Sequence, residues 1–376
     1  MRFLLSTFHA GGNVPPFVEL GRELVRRGHD VTCIGQTSLR GTFEDAGVTF
    51  GGLETGVPYA AYDRVPVAGQ SDGFSRVFHD PGYGADLLRE AARRPVDLTV
   101  VDCYLFGAMA VLEAAAVPTA ILVHTFYGFM QAIGAHLLPS INETRVRAGL
   151  PACDPGGIWA GFERVLVTSS PLLDTAPLET PANLRYVGPL FDARPETGAA
   201  GLGAGDTPHV LVALSTTYMG QEALLVNILD ALATLPVTAT LTVGPEVDRE
   251  ALAPPPNVTV TGWLRHASVM ARSDLVITHG GHGTVSTALA AGVPVLCVPL
   301  GRDQPFIAAR VAALGAGLQL ASDASAAEIQ GAVVALLENP EFGSRARELS
   351  VGMAGPNQGV TRAADELEAV AARRGG

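Results

Sequence analysis

The stretch Trp263 to Gln304 reads WLRHASVMARSDLVITHGGHGTVSTALAAGVPVLCVPLGRDQ. Inside it an apolar run, Leu275 to Thr278, leads into His279-Gly280-Gly281-His282-Gly283-Thr284. A helix-compatible run follows from Val285 to Ala291, and Gly292-Val293-Pro294 starts another strand. A strand, a glycine-rich turn and a helix start make a place for an anion. Glycine lets the backbone come close, and the unpaired N–H groups of a first helical turn point outward. The helix adds roughly half a positive charge at that end. The loop lacks the GxxxxGK[ST] of a P-loop, and HGGHG is not the GxGxxG fingerprint. His279, at the strand end, can donate to a phosphate oxygen. Asp303 and Gln304 end the next strand, where an acid and an amide suit sugar hydroxyls. Phosphate donors beside hydroxyl partners suggest a nucleotide sugar.

Working outward, the same alternation fills both halves of the chain. In the first half, strands are expected at Phe3–Thr7, Val31–Gly35, Leu98–Asp102, Thr119–Val123 and Leu166–Ser169, with helices over Pro16–Arg27 and Ala108–Ala116. In the second half, strands fall at His209–Leu214, Thr238–Val243, Asn257–Thr261, Leu275–Thr278 and Val295–Val298, with helices near 221–235 and 326–338. Such alternation calls for parallel sheets covered on both faces. Between the halves, residues 191–208 (FDARPETGAAGLGAGDTP) read as a Gly/Ala/Pro-rich linker. The expected organisation is therefore an α/β chain of two doubly wound Rossmann-like domains, 1–190 and 209–356. Val360, Ala363, Ala364, Leu367, Val370 and Ala371 follow helical spacing in a last segment, 357–376. Two blocks break the pattern: 51–83, rich in Gly, Pro and Tyr, and Phe126–Trp159. Irregular insertions at strand ends are common binding loops, and ordinary packing of aromatics explains them equally well.

Composition narrows the function. With 25 basic against 37 acidic residues the formal charge is -12, which argues against non-specific nucleic-acid binding. The hydrophobic fraction of 48% supports a large core. The cysteines, Cys33, Cys103, Cys153 and Cys297, form no CxxC or Cys/His zinc pattern, and three of them sit in or beside apolar strand-like runs, as buried thiols do. The opening MRFLLSTFHAGG reads as a first strand rather than a signal peptide, and no apolar run is long enough to span a bilayer. The cytoplasm is the expected compartment.

The Trp263–Gln304 segment resembles the donor-binding signature of family 1 glycosyltransferases, the group that includes plant and antibiotic-tailoring enzymes. Their motif runs from a tryptophan through H-x-G-x-[NG]-[ST] to D-Q, matched here by Trp263, His279, Gly281, Gly283, Thr284, Asp303 and Gln304. The resemblance implies the GT-B fold, with the two domains facing across a cleft and a final helix crossing back to the first. It implies that Trp263 stacks on the nucleotide base, that His279, Gly283 and Thr284 hold the diphosphate, and that Asp303 and Gln304 hold the sugar. Ser215 and Thr216, after the first strand of the second domain, are further diphosphate candidates; Leu264, His282 and Gly12 complete the donor set. No metal and no cofactor are expected beyond the nucleotide-diphosphate sugar as co-substrate. Plant relatives have Glu where this chain has Thr287, which loosens the demand for a ribose 2′-hydroxyl. A deoxythymidine-diphosphate donor is the expectation, with uridine diphosphate as the alternative.

Inverting transfer needs a base to take the acceptor proton. Relatives place a histidine there in a G-H-V-x-P motif; the matching segment is Gly12-Asn13-Val14-Pro15-Pro16, so Asn13 stands in its place. A neutral amide is not a useful base. The family's acidic partner is matched by Asp102, and His9 lies in the same loop, so Asp102 or His9 would supply the base; alternatively the acceptor, such as a phenol or an amine-like nucleophile, is acidic enough to need little help. Phe78, His124, Phe126, Tyr127 and Phe129 are the acceptor-site candidates. The expected partners are a nucleotide sugar and a small hydrophobic or aromatic aglycone, with neither nucleic acid nor membrane, and with homodimerisation open. Two alternatives share the fold: a nucleotide-sugar 2-epimerase and a non-catalytic activator.

Overall fold

A computed structural model of the chain describes residues 1–59, 70–175, 180–192, 194, 206–244, 247–250, 252–262, 264–353, 355 and 358–373, without the side chain of Ser268. These fall into two compact units, one built from residues up to Leu190 together with the C-terminal helix, the other from the residues between Phe191 and Pro356.

The first unit runs β1 (Arg2–Ser6), α1 (Val14–Arg26), β2 (Asp30–Gly35), a 3-10 turn at Thr37–Leu39, α2 (Arg40–Glu44), β3 (Thr49–Gly52), α3 (Gln70–Phe78), α4 (Gly82–Arg93), β4 (Leu98–Asp102), α5 (Phe106–Ala114), β5 (Thr119–Val123), α6 (Tyr127–Arg147), α7 (Gly157–Ala160), β6 (Arg164–Val167) and β7 (Leu184–Tyr186). Its sheet has the order β3-β2-β1-β4-β5-β6-β7, and every pairing is parallel. The second unit runs β8 (His209–Ala213), α8 (Glu222–Ala233), β9 (Thr238–Thr242), β10 (Val258–Thr261), α9 (His266–Met270), β11 (Leu275–Thr278), α10 (His282–Ala290), β12 (Val295–Cys297), α11 (Gln304–Ala313), β13 (Gly317–Gln319), α12 (Ala326–Glu338) and α13 (Pro340–Gly352). Its sheet, β10-β9-β8-β11-β12-β13, is also parallel throughout.

Strands β1, β4, β5, β8 and β11 are buried along their whole length. That is why they read as continuous apolar runs rather than alternating ones: helices cover both faces. In each sheet the winding reverses once, between β1 and β4 and between β8 and β11. Open α/β sheets hold ligands just outside the strand ends at such a reversal.

Helix α14 (Gln358–Ala372) lays its apolar stripe, Val360 to Ala371, into the core of the first unit. Arg27, after α1, pairs with Asp365 at 2.7 Å and Glu368 at 2.8 Å, and Arg164 pairs with Glu366 at 2.9 Å. Gly359 sits where a Cβ would come within 2.3 Å of the Pro189 carbonyl, so no larger residue fits there.

Two readings need correction. The block from Phe126 is not irregular: α6 is a helix of 21 residues. Its buried positions, Tyr127, Met130, Gly134, Ile141, Thr144 and Arg145, follow helical spacing, but three of them are glycine or polar and Pro139 interrupts the pattern. The insertion 51–83 likewise contains α3 and the start of α4; residues 60–69 of it lie outside those described. Cys33, Cys103 and Cys297 are buried and Cys153 half-buried, all as free thiols.

Candidate active site

In the first unit the reversal point carries a closed polar cluster around Asp102, the last residue of β4 and fully buried. Its Oδ2 accepts from Thr7 Oγ1 at 2.7 Å and from Asn13 Nδ2 at 3.0 Å. Its Oδ1 accepts from the Tyr104 N–H at 3.1 Å and lies 3.1 Å from His124 Nε2. The sheet makes this possible: β4 lies between β1, which delivers Thr7, and β5, which delivers His124. Burial pushes the Asp102 carboxyl up, but the charge and hydrogen bond of His124, with the hydrogen bonds of Thr7 and Asn13, outweigh it and hold the group below the usual carboxylate range. Burial likewise opposes a charge on His124. Asp102 foremost, then Cys103, reverse this and raise His124 well above 6.5.

Asn13 is spent inside the cluster. Its Nδ2 also reaches Thr7 Oγ1 at 2.9 Å and the Phe8 carbonyl at 2.7 Å, and its Oδ1 accepts from the Ala10 N–H at 3.2 Å. His9 turns toward β2: its Nδ1 is 3.1 Å from Ser38 Oγ, and burial lowers its pKa. Gly12 lies exposed in the turn before α1. Asp102, Cys103 and His124 bring a carboxylate, a thiol and an imidazole within 4.8 Å of one another. With four hydrogen bonds already on Asp102 and the thiol pKa pushed up by burial, the group is a hydrogen-bonded cluster rather than an open cation seat.

Beside it runs a ladder of rings. His124 faces Tyr104 at 5.6 Å, Tyr104 stacks on Phe78 at 4.8 Å, Phe78 lies 5.4 Å from Phe74, and Phe74 stacks on Tyr59 at 4.7 Å. Phe74, Phe78 and Tyr104 are only partly buried. Of the five acceptor candidates, this ladder contains Phe78 and His124. Phe126 and Tyr127 are core residues, 1% and 0% exposed; Tyr127 packs edge-on against Trp159, and a ring enclosed by the core cannot line a binding wall. Phe129 is partly buried against the same core. Thr7, Tyr59, Phe74 and Tyr104 were missed by sequence reasoning. The i, i+4 spacing of Phe74 and Phe78 was the available signal.

In the second unit three loops meet at the reversal point, after β8, β11 and β12. Register sets Thr278 opposite Ala213 on one side and Cys297 on the other. His279 follows. Burial pushes its pKa down to about 4, against a hydrogen bond to the Ala213 carbonyl and with help from Arg302 and His266. The ring leans over Gly281, where a Cβ would lie 2.7 Å from His279 Nε2. Gly280 has φ +85°, a conformation glycine takes without strain. Gly281 is the N-cap of α10, leaving Gly283 exposed and Thr284 half-buried in the first turn. His282 is buried, 3.3 Å from Ser286 Oγ within its own helix.

Ser215 is buried and exchanges hydrogen bonds with Gln221 and Thr217, whereas Thr216 is exposed. Asp303 stands at the N-cap position of α11 without a side-chain capping bond and is half-buried. Gln304 uses its Oε1 to close its own loop, accepting from Leu300 at 2.8 Å and Gly301 at 3.2 Å. Arg302 takes φ 60° and extends Nη1 to Thr217 Oγ1 at 3.4 Å. Leu264 is buried, and Trp263 lies outside the described residues. Among the described residues no helix is long and apolar enough to cross a membrane.

Residues 226–368 match a family model described as the C-terminal domain of erythromycin biosynthesis protein CIII-like proteins. The chain is 30% identical over 404 residues to 4'-demethylrebeccamycin synthase of Lentzea aerocolonigenes, covering 93% of this chain and 94% of that protein. The solved glycotransferase of kitacinnamycin has a TM-score of 0.81 and 25% identity, covering 98% of each chain. The glycosyltransferase VinC, solved in complex with dTDP, has a TM-score of 0.74 at 20% identity and covers 99% of this chain and 100% of its own. Parallel sheets reversed at matching points, a histidine over a glycine turn in one and a buried aspartate in the other, and these relatives lead to one conclusion: the chain belongs to the family 1 glycosyltransferases of the GT-B fold, in the group that tailors antibiotics and other natural products.

Proposed function

We propose that this glycosyltransferase moves a sugar from a thymidine-diphosphate donor, with inversion, to a hydrophobic aromatic aglycone. The observation that carries the donor assignment is Thr287. Its Oγ1 donates to the Gly283 carbonyl at 2.7 Å, within its own helix. A hydroxyl engaged in this way places no demand on a ribose 2′-hydroxyl, so a deoxynucleotide loses nothing at this point. The dTDP held by VinC supports the same reading.

The N–H groups at the head of α10, with His279, would hold the diphosphate, and the nearby guanidinium of Arg302 would oppose the charge that grows on the leaving group. The reading gives that task to protein groups rather than to a metal ion. Asp303 and Gln304 would meet the sugar, and the partly buried faces of Phe74, Phe78 and Tyr104 would hold a planar acceptor. In an inverting transfer the acceptor atom attacks the anomeric carbon from the face opposite the diphosphate, in one displacement.

Calorimetric titration with thymidine and uridine diphosphates tests the donor; tighter uridine binding sinks it. Acceptor-dependent nucleotide release with polycyclic phenols, followed by NMR of the product anomer, tests the rest. Retention of configuration would contradict inversion.

A further inference from the structure

Asn13 replaces the histidine that relatives use as base, and the cluster around it shows which groups are able to take over. Asn13 has no basic lone pair, and its amide nitrogen is committed to Asp102, Thr7 and Phe8. Asp102 is fully buried and accepts from Thr7, Asn13, Tyr104 and His124, which uses up its lone pairs. The His9 ring is held toward Ser38. His124 differs from all three. One ring nitrogen is fixed by Asp102 at 3.1 Å, the Cys103 thiol, a weak donor, is the ring's other hydrogen-bond partner, the side chain keeps 10% exposure, and its neighbour Tyr104 begins the aromatic ladder.

We infer that His124 is the proton acceptor of the transfer, oriented by Asp102 from a different strand than the one relatives use. This rests on the aglycone being held at the ladder beside it, as proposed above. The acceptor's O–H or N–H proton passes to the ring nitrogen that Asp102 does not hold. The acceptor atom forms its bond to the anomeric carbon, the bond from that carbon to the diphosphate oxygen breaks, and its electron pair leaves with the nucleoside diphosphate. The imidazolium so formed is stabilised by the Asp102 carboxylate, and its proton then returns to solvent.

The groups facing His124 are the Asp102 carboxylate, the Cys103 thiol and the Tyr104 ring. Since Asp102 and then Cys103 outweigh burial, kcat/KM of the wild type should rise with pH through a limb centred above 6.5. His124→Gln and His124→Asn should lose that limb and roughly 10²-fold or more of kcat, with thymidine-diphosphate affinity unchanged. Asp102→Asn should move the limb to lower pH, because burial then acts without the carboxylate. A wild-type limb and rate in both His124 variants overturns the base assignment and leaves the donor and acceptor reading standing. Failure of the wild type to release nucleotide with any aromatic acceptor overturns that reading, and this assignment with it. Should neither His124 variant fold, by circular dichroism, an unmoved limb in Asp102→Asn overturns the assignment.

Discussion

Two histidines close parallel strands in this molecule, and burial is answered differently at each. His124 follows β5 in the first sheet and His279 follows β11 in the second. Burial works against the charged form at both. At His279 burial wins and the pKa falls to about 4; at His124 the buried carboxylate of Asp102 wins and the pKa stands well above 6.5. The difference teaches that a strand-end histidine takes its chemistry from one neighbour rather than from its place in the fold. A neutral ring at His279 suits a hydrogen-bonding contact. A ring paired with a carboxylate suits a proton that has to be received and held.

The comparison breaks most visibly if the carboxylate is removed. Asp102→Ala should lower kcat by about 10²-fold or more. It should also cost about 3–5 kcal/mol in urea unfolding, because a buried partner is left unpaired; a loss below about 1 kcal/mol would show that the cluster is not closed. His279→Ala should weaken thymidine-diphosphate binding roughly tenfold to a hundredfold by calorimetry, the worth of a hydrogen bond to a charged group. Unchanged affinity would remove His279 from the donor site.

Stability against pH sharpens the contrast, because the signs differ. His279 and His266 are both pushed down to about 4 from 6.5, so between those values the unfolded chain binds more protons than the folded one. The second unit should lose stability as pH falls from about 6.5 to about 4. His124 has a raised folded pKa, so its contribution is complete below 6.5 and is lost as pH rises through that folded value. Hydrogen exchange read by mass spectrometry resolves the two units: β8 and β11 should open more readily at pH 5 than at pH 7, and β4 and β5 should show a smaller acid loss over that range, because the lowered pKa values of His9 and His79 act in the same direction while His124 does not. The smallest effect is expected at Phe78→Ala, a rise of roughly twofold to tenfold in acceptor KM, since one aromatic pair is worth about 0.5–1.5 kcal/mol. A fall in kcat with KM unchanged would place Phe78 outside the acceptor wall.

The strands were legible where the sheet is covered on both faces. Leu98–Asp102 and Leu275–Thr278 are continuous apolar runs because nothing along them meets water. The edge strands β3, β7 and β13 were not, being only 4, 3 and 3 residues long and, in β3 and β13, carrying glycine. Helix α6 escaped because Pro139, Gly134, Thr144 and Arg145 hid its buried stripe. At the site, His279 and Gly281 could be read from the motif, yet only the structure shows that a larger residue at Gly281 would displace the imidazole lying over it.

Hydrophobic spacing is a local property, carried by residues a few positions apart, so the order of strands, turns and helices could be read along the chain. Hydrogen bonds act over about 3 Å and depend on direction. Which histidine meets Asp102 was therefore settled only when β4 and β5 paired and brought together residues 22 apart, and when the loop from β1 to α1, across the winding reversal, supplied Thr7 and Asn13 to the other oxygen.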